Sequence, residues 1–270
     1  MSATASLAAL ESELAVLDRV VVAFSGGADS AFLAKVAHDT LGADRALVAT
    51  AISPSLAPAE EADCRALAQE WGLRWVGVPT NEMDDPHYLA NEPDRCARCK
   101  TALMEALAPM AAAESATVVL GVNLDDLSEH RPGQRAASEL GARFPLVSAG
   151  FDKAAVRDWS KRLGLRTWDK PAAACLSSRI PYGTPVTLGS LRSIADAEAA
   201  LGALGFGQLR VRHHGSVARI EVEVDAFGEV LARRHEVQGA VRSAGYAYVT
   251  LDLAGFRSGS MNETLREADR

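Results

Sequence analysis

Hydrophobic positions in the first half of the chain switch repeatedly between two periods. Leu7, Leu10, Leu14 and Leu17 recur at helical spacing and predict an amphipathic opening helix. Val20 to Phe24 is then an unbroken apolar run, the pattern of a strand covered on both faces. The same reading predicts helices over 31–40, 60–71 and about 99–113, with strands over 46–52, 74–79 and 117–122. Strands alternating with helices imply an α/β fold with a parallel sheet.

The pattern breaks at 168–187, a stretch that holds Pro171, Pro181, Pro185 and Gly183. Long ordered loops of this kind are often functional. Beyond it the pattern predicts a helix over 188–204, strands over 208–212 and 217–224, a helix over 227–244 and a strand over 246–253. The expected organisation is a large domain over 1–168, an active-site loop over 169–187 and a smaller C-terminal α+β domain over 188–270. The last is expected to bind substrate or to oligomerise.

Composition narrows the class. A chain of 270 residues is long enough for two unequal domains, and 48% apolar with 23% charged residues suits a soluble protein. No run of eighteen apolar residues occurs, and the first residues lack a charged segment followed by a long apolar one. The expectation is a cytoplasmic protein with no membrane partner. A net charge of −7 argues against a nucleic-acid partner, although Arg210, Arg212, His213 and His214 form a basic cluster fit for one or two phosphates. Glu221 and Glu223 alternate on one strand face, expected to be solvated.

Ser25-Gly26-Gly27-Ala28-Asp29-Ser30 stands where the first strand gives way to a helix. Glycines let backbone approach an anion, and a helix N-terminus offers free N–H groups and the positive end of a dipole. Asp29 suits a magnesium ion or a helix cap. Gly121-Val122-Asn123-Leu124-Asp125-Asp126 follows the fourth strand. Its two carboxylates suit magnesium or a nucleotide hydroxyl, or else cap a helix. Arg131, in Arg131-Pro132-Gly133, is placed on a turn where it would grip a phosphate or carboxylate.

Cysteines are four. Cys64 shares a helical stripe with Leu67, Ala68 and Trp71 and reads as a buried hydrophobe. Cys96 and Cys99 form a Cys-x-x-Cys pair ahead of a helix, and Cys175 lies in the proline-rich loop. Three thiols leave an iron–sulfur cluster, zinc and free thiols all open.

The string at 25–30 resembles the PP-loop signature Ser-Gly-Gly-x-Asp-Ser. That resemblance implies an ATP-pyrophosphatase domain, adenine nucleotide alpha hydrolase-like, over about 18–165. Trp168-Asp169-Lys170-Pro171-Ala172-Ala173-Ala174-Cys175-Leu176-Ser177-Ser178-Arg179-Ile180-Pro181-Tyr182-Gly183, the 123–133 segment and Leu251 to Ser260 look like hallmarks of the LarE family of sulfur transferases in nickel-pincer cofactor synthesis. The family resemblance implies that ATP and Mg2+ adenylate the carboxylates of pyridinium-3,5-biscarboxylic acid mononucleotide, which are then thiolated.

On that reading Ser25, Gly26, Gly27, Asp29, Ser30, Gly121 and Asp125 bind ATP, and Asp29, Asp126 and Cys175 act in catalysis. Arg131, Arg179, Arg210 and Arg212 are candidates for the substrate's phosphate. Cys96, Cys99 and Cys175 match the branch whose three cysteines hold a [4Fe-4S] cluster. In the other branch the loop cysteine gives up its own sulfur. The resemblance also implies a homo-oligomer. The rivals are a tRNA-thiolating PP-loop enzyme, an amide-forming synthetase of the same superfamily and a nucleotide-sensing module without turnover.

Overall fold

The computed structural model describes residues 5–128, 132–171 and 174–257. They form two compact units. The first draws its described residues from 1–85 and 94–173, the second from 86–93 and 174–270.

In chain order the elements are α1 (Leu7–Leu17), β1 (Val20–Ala23), α2 (Ala28–Leu41), β2 (Ala46–Ile52), α3 (Pro58–Trp71), β3 (Arg74–Pro79) and α4 (Pro86–Leu89). Then come α5 (Arg95–Glu114), β4 (Thr117–Leu120), α6 (Leu124–Ser128), α7 (Pro132–Glu139), α8 (Pro145–Ser148) and α9 (Lys153–Arg162). The remainder is α10 (Leu188–Ala203), β5 (Leu209–His214), β6 (Val217–Val222), α11 (Phe227–Ala232), α12 (Arg234–Ser243) and β7 (Tyr248–Leu251).

The first unit is built on an all-parallel sheet in the order β3-β2-β1-β4. Successive side chains of a strand point to opposite faces, and β1 follows this rule. Val20 and Val22 pack with Leu10, Leu14, Phe32, Leu33 and Val156, whereas Val21 packs with Leu103, Leu107 and Leu120. Both faces are therefore covered, as the unbroken apolar run predicts. The chain winds outward from β1 through β2 to β3, then returns to place β4 on the other side of β1. Open α/β sheets gather ligands at such a reversal, beyond the carboxyl ends of the strands.

The second unit has a sheet in the order β5-β6-β7, with β5 antiparallel and β7 parallel to β6. Ala197 and Leu201 of α10 pack on Val211, Ile220, Val237 and Val241 to form its core. The α/β class with a smaller α+β part thus holds.

Three predicted elements differ in the structure. The helix expected at about 99 begins at Arg95, so Cys96 and Cys99 lie inside it rather than ahead of it. A polar opening turn carries no apolar period to announce itself. The helix predicted over 227–244 is broken at Arg233, whose guanidinium reaches across to the Leu204 carbonyl at the end of α10 (2.8 Å). Of the turn read at Arg131-Pro132-Gly133, Arg131 lies outside the described residues, and Pro132 and Gly133 open α7, where a proline's missing N–H costs nothing.

Candidate functional site

Gly26 and Gly27 carry the chain from β1 into α2. Gly26 has φ +70, and a Cβ there would stand 2.9 Å from the Cys64 sulfur. Backbone of this kind lets an anion approach the α2 N-terminus closely. Ser30 closes the loop from within. Its hydroxyl donates to the Gly27 carbonyl (3.2 Å), accepts from the Ser25 amide (3.2 Å) and lies 3.0 Å from the Ser25 hydroxyl. Burial pushes the Cys64 thiol up to about 11, so it stays a neutral, apolar floor beneath the loop.

The loop after β4 meets this cradle through Gly121. A Cβ on Gly121 would lie 2.8 Å from the Ser30 amide nitrogen, so only glycine permits that approach. Asn123, fully buried, then donates its side-chain amide to Asp29 (3.1 Å). The same residue caps α6. Its Oδ1 accepts from the Asp126 amide (3.2 Å), and the Asp126 carboxylate accepts from the Asn123 amide (3.3 Å). This is a reciprocal cap.

Asp126 is buried and also faces the Lys153 ammonium at 3.4 Å. Asp125 points elsewhere: it is exposed and accepts from the Lys153 amide at the start of α9 (2.8 Å). Helix capping thus occupies Asp126 and Asn123, and Asp125 ties α6 to α9. Asp29 is held above the ordinary carboxylate range, first by burial and then by the neighbouring Asp126 charge, against the Asn123 hydrogen bond and the Lys153 and Arg157 charges. Two carboxylates that share a partly dry site suit a divalent cation.

In the second unit Cys175 is half-buried and precedes a 3₁₀ turn over Leu176–Arg179. Arg179 clamps this turn. Its guanidinium donates to the carbonyls of Ala174 and Cys175 and forks onto Glu198 (2.9 and 3.0 Å). Glu198 also accepts from the Val211 amide (2.9 Å), which fixes it to β5. Arg212 donates to the Ser178 carbonyl (2.9 Å) and to Glu221 (2.7 Å). Glu221 is fully buried between Arg212 and Arg219 in a closed ion-pair layer, against the solvated face expected there, whereas Glu223, just past the end of β6, is exposed as expected.

Arg210, two residues along β5, is 8% exposed and stacks over the Phe256 ring at 5.1 Å. Burial, reinforced by the Arg179 and Arg212 charges, lowers it to about 10. It is still protonated near neutrality, a dehydrated cation suited to an anion.

The other side of the Cys175 turn is held by residues that sequence reasoning passed over. The Tyr88 and Ser177 hydroxyls are 2.7 Å apart. Asn91 donates to the Pro181 and Thr184 carbonyls (both 2.8 Å), and the Val186 amide donates to the Leu89 carbonyl (2.8 Å). Lys153 and Glu198 were likewise passed over, and Asn123 stood within its motif without a role of its own. Only the Asn-x-x-Asp spacing at 123–126 offers a signal, that of a helix cap.

Cys96 and Cys99 stand one turn apart on α5, exposed and half-buried respectively, so they project from one face. Among the described residues no three His, Cys, Asp or Glu side chains gather as a set able to hold a metal ion. The Asp29–Asp126 carboxylates and the two α5 thiols are each a pair, one donor short of such a set. Arg131 lies outside the described residues. Among the described residues no helix is long and apolar enough to cross a membrane.

No family model matches the chain. It is 40% identical to the pyridinium-3,5-bisthiocarboxylic acid mononucleotide synthase of Lactiplantibacillus plantarum over 262 residues, 97% of this chain and 95% of that protein. The Synechocystis protein slr1717 is 46% identical over 253 residues, 92% of this chain and 94% of its own. The Methanocaldococcus jannaschii protein MJ0830 is 25% identical over 241 residues, 89% and 91% of the two chains. The chain belongs to the family of pyridinium-3,5-bisthiocarboxylic acid mononucleotide synthases, the LarE family.

Proposed function

We propose that this chain is an ATP-dependent sulfur transferase that converts the carboxylates of pyridinium-3,5-biscarboxylic acid mononucleotide to thiocarboxylates, releasing AMP and pyrophosphate. The observation that carries the reading is the junction of the 25–30 loop with the 121–126 loop at the β1–β4 reversal, in a chain 40% identical to a synthase of the product.

A carboxylate is a poor electrophile, because its leaving group would be oxide. ATP supplies AMP as a better one. The Ser25–Gly27 amides and the α2 N-terminus receive the pyrophosphate part, with Ser30 holding the loop in shape. Asp29 and Asp126 are the carboxylates that would hold Mg2+, which offsets phosphate charge. Arg210 receives the substrate's own phosphate, and Arg179 with Arg212 orient the Cys175 turn. In this reading Cys96, Cys99 and Cys175 would hold a [4Fe-4S] cluster, which would supply the sulfur to be transferred. The protein acts in the cytoplasm as a homo-oligomer, with neither nucleic acid nor membrane as partner.

In a second reading Cys175 gives up its own sulfur and becomes dehydroalanine. The half-buried thiol, framed by an arginine on both flanking carbonyls, favours a residue presented for chemistry. Anaerobically prepared protein separates the two. The cluster reading expects about four irons per chain, lost on alanine replacement of any of the three cysteines, and an unchanged Cys175 mass after turnover. Active, iron-free protein with a Cys175 peptide lighter by hydrogen sulfide overturns it in favour of the second. Absence of pyrophosphate release from ATP and substrate overturns both.

A further inference from the structure

Lys170 follows α9 in a tight turn made by the Trp168 amide to the Leu165 carbonyl and its own amide to the Thr167 carbonyl (both 3.1 Å). Its ammonium donates to Glu60 (2.8 Å) and Asp63 (2.7 Å) on α3. Arg166, from the same turn, also takes Asp63 (2.6 Å) and adds Glu70 (2.9 Å). A tie between this turn and α3 therefore exists without Lys170.

What sets Lys170 apart is its place. Its Nζ lies 3.7 Å from the point where a Cβ on Gly26 would stand, against the left-handed residue of the phosphate loop. The side chain is 18% exposed, neither sealed in the core nor loose in solvent. An ammonium carries three donors, and Glu60 and Asp63 engage two of them. Both carboxylates lie on the first two turns of α3, close to the loop's floor residue Cys64. Two uncompensated carboxylates so near an anion cradle would repel its ligand. Lys170 and Arg166 offset the pair, and Lys170 does so beside Gly26.

We propose that Lys170 is a phosphate-contacting residue of the ATP site: its third N–H donates to a β- or γ-phosphate oxygen seated on the Ser25–Gly27 loop, while Glu60 and Asp63 fix the ammonium in place. The inference rests on the ATP reading above and adds a residue to it. On the ATP reading the Ser25–Gly27 loop seats the pyrophosphate part, so the phosphates beside Lys170 are the ones that AMP lacks.

Calorimetry of ATP and of AMP binding to the full chain tests it, with Lys170→Met, Lys170→Arg and the double change Glu60→Gln with Asp63→Asn. Loss of a charge-assisted hydrogen bond weakens binding by about tenfold or more. Lys170→Met is expected to weaken ATP by at least that much and to leave AMP within a factor of about two. Lys170→Arg keeps the charge and is expected to recover most of the ATP affinity. The double variant, which leaves the ammonium without its guides, is expected to lie between wild type and Lys170→Met. Equal losses for ATP and AMP, or a lowered melting temperature with unchanged ATP affinity, would make Lys170 a structural tie and overturn the proposal. Failure of the wild-type chain to bind ATP is a different result, which overturns the ATP reading itself.

Discussion

Asn123 joins two loops with one side chain: its amide group donates to Asp29 on α2 while its oxygen caps α6 through the Asp126 amide. Asn123→Ala is expected to cost about 1 kcal/mol as a lost cap. It also removes the hydrogen bond that draws Asp29 back toward the ordinary carboxylate range, so Asp29 should titrate at higher pH than in wild type. NMR titration of the Asp29 carboxyl checks the shift, and chemical denaturation checks the stability.

Asp29 itself gives a pH-dependent outcome. Its folded pKa is raised above that of an ordinary aspartate, so the folded state holds the proton more tightly than the unfolded one. That contribution to stability is present below the ordinary aspartate range and is lost as pH rises through the raised folded value. Asp29→Asn, which never ionises, should therefore raise the melting temperature at neutral pH and show little gain in acid. Pyrophosphate release should fall sharply in the same variant, because a carboxylate proposed to hold Mg2+ is gone.

Gly26→Ala meets two obstacles, a left-handed φ and the Cys64 sulfur at 2.9 Å. The backbone term costs about 1–2 kcal/mol. Adding Cys64→Ala should relieve the clash and leave the backbone cost, so the double variant should recover part of the stability and little of the pyrophosphate release. Thermal denaturation alongside the activity assay resolves the two contributions.

Arg179, Arg210 and Arg212 of the second unit should separate by assay. Arg212→Ala leaves Glu221 buried with one fewer cation, and breaking a buried pair costs about 3–5 kcal/mol. Arg179→Ala should loosen the Cys175 turn and speed alkylation of its thiol. Arg210→Met is expected to weaken the pyridinium mononucleotide by about tenfold or more. Calorimetry, alkylation rates and melting temperature across the three variants check this order.

The parallel sheet was legible because β1, β2 and β4 are buried on both faces and so read as apolar runs. The phosphate loop was legible because its glycines and its place between strand and helix are local properties. Glu198 was not, since nothing near it in sequence says that Arg179 and the Val211 amide will converge on its carboxylate. Arg210 and Arg212 were legible as a same-face pair, but not their different surroundings. Those follow from Glu221 pairing with Arg212 while Phe256 lies under Arg210. Asn91 was hidden for a similar reason: its partners lie about ninety residues further along the chain.

The short segment 86–93 belongs with the second unit although the chain on either side of it belongs to the first. The polypeptide therefore crosses between units at 85/86, 93/94 and 173/174, and no single cut divides them. A protease nick near residue 173 would leave the later fragment holding Tyr88 and Asn91 through Ser177, Pro181 and Thr184. The two fragments should then co-migrate on a sizing column and part only in denaturant. A fragment expressed from residue 174 onward would lack those anchors, and its Cys175 turn would lose one of the two sides that shape it.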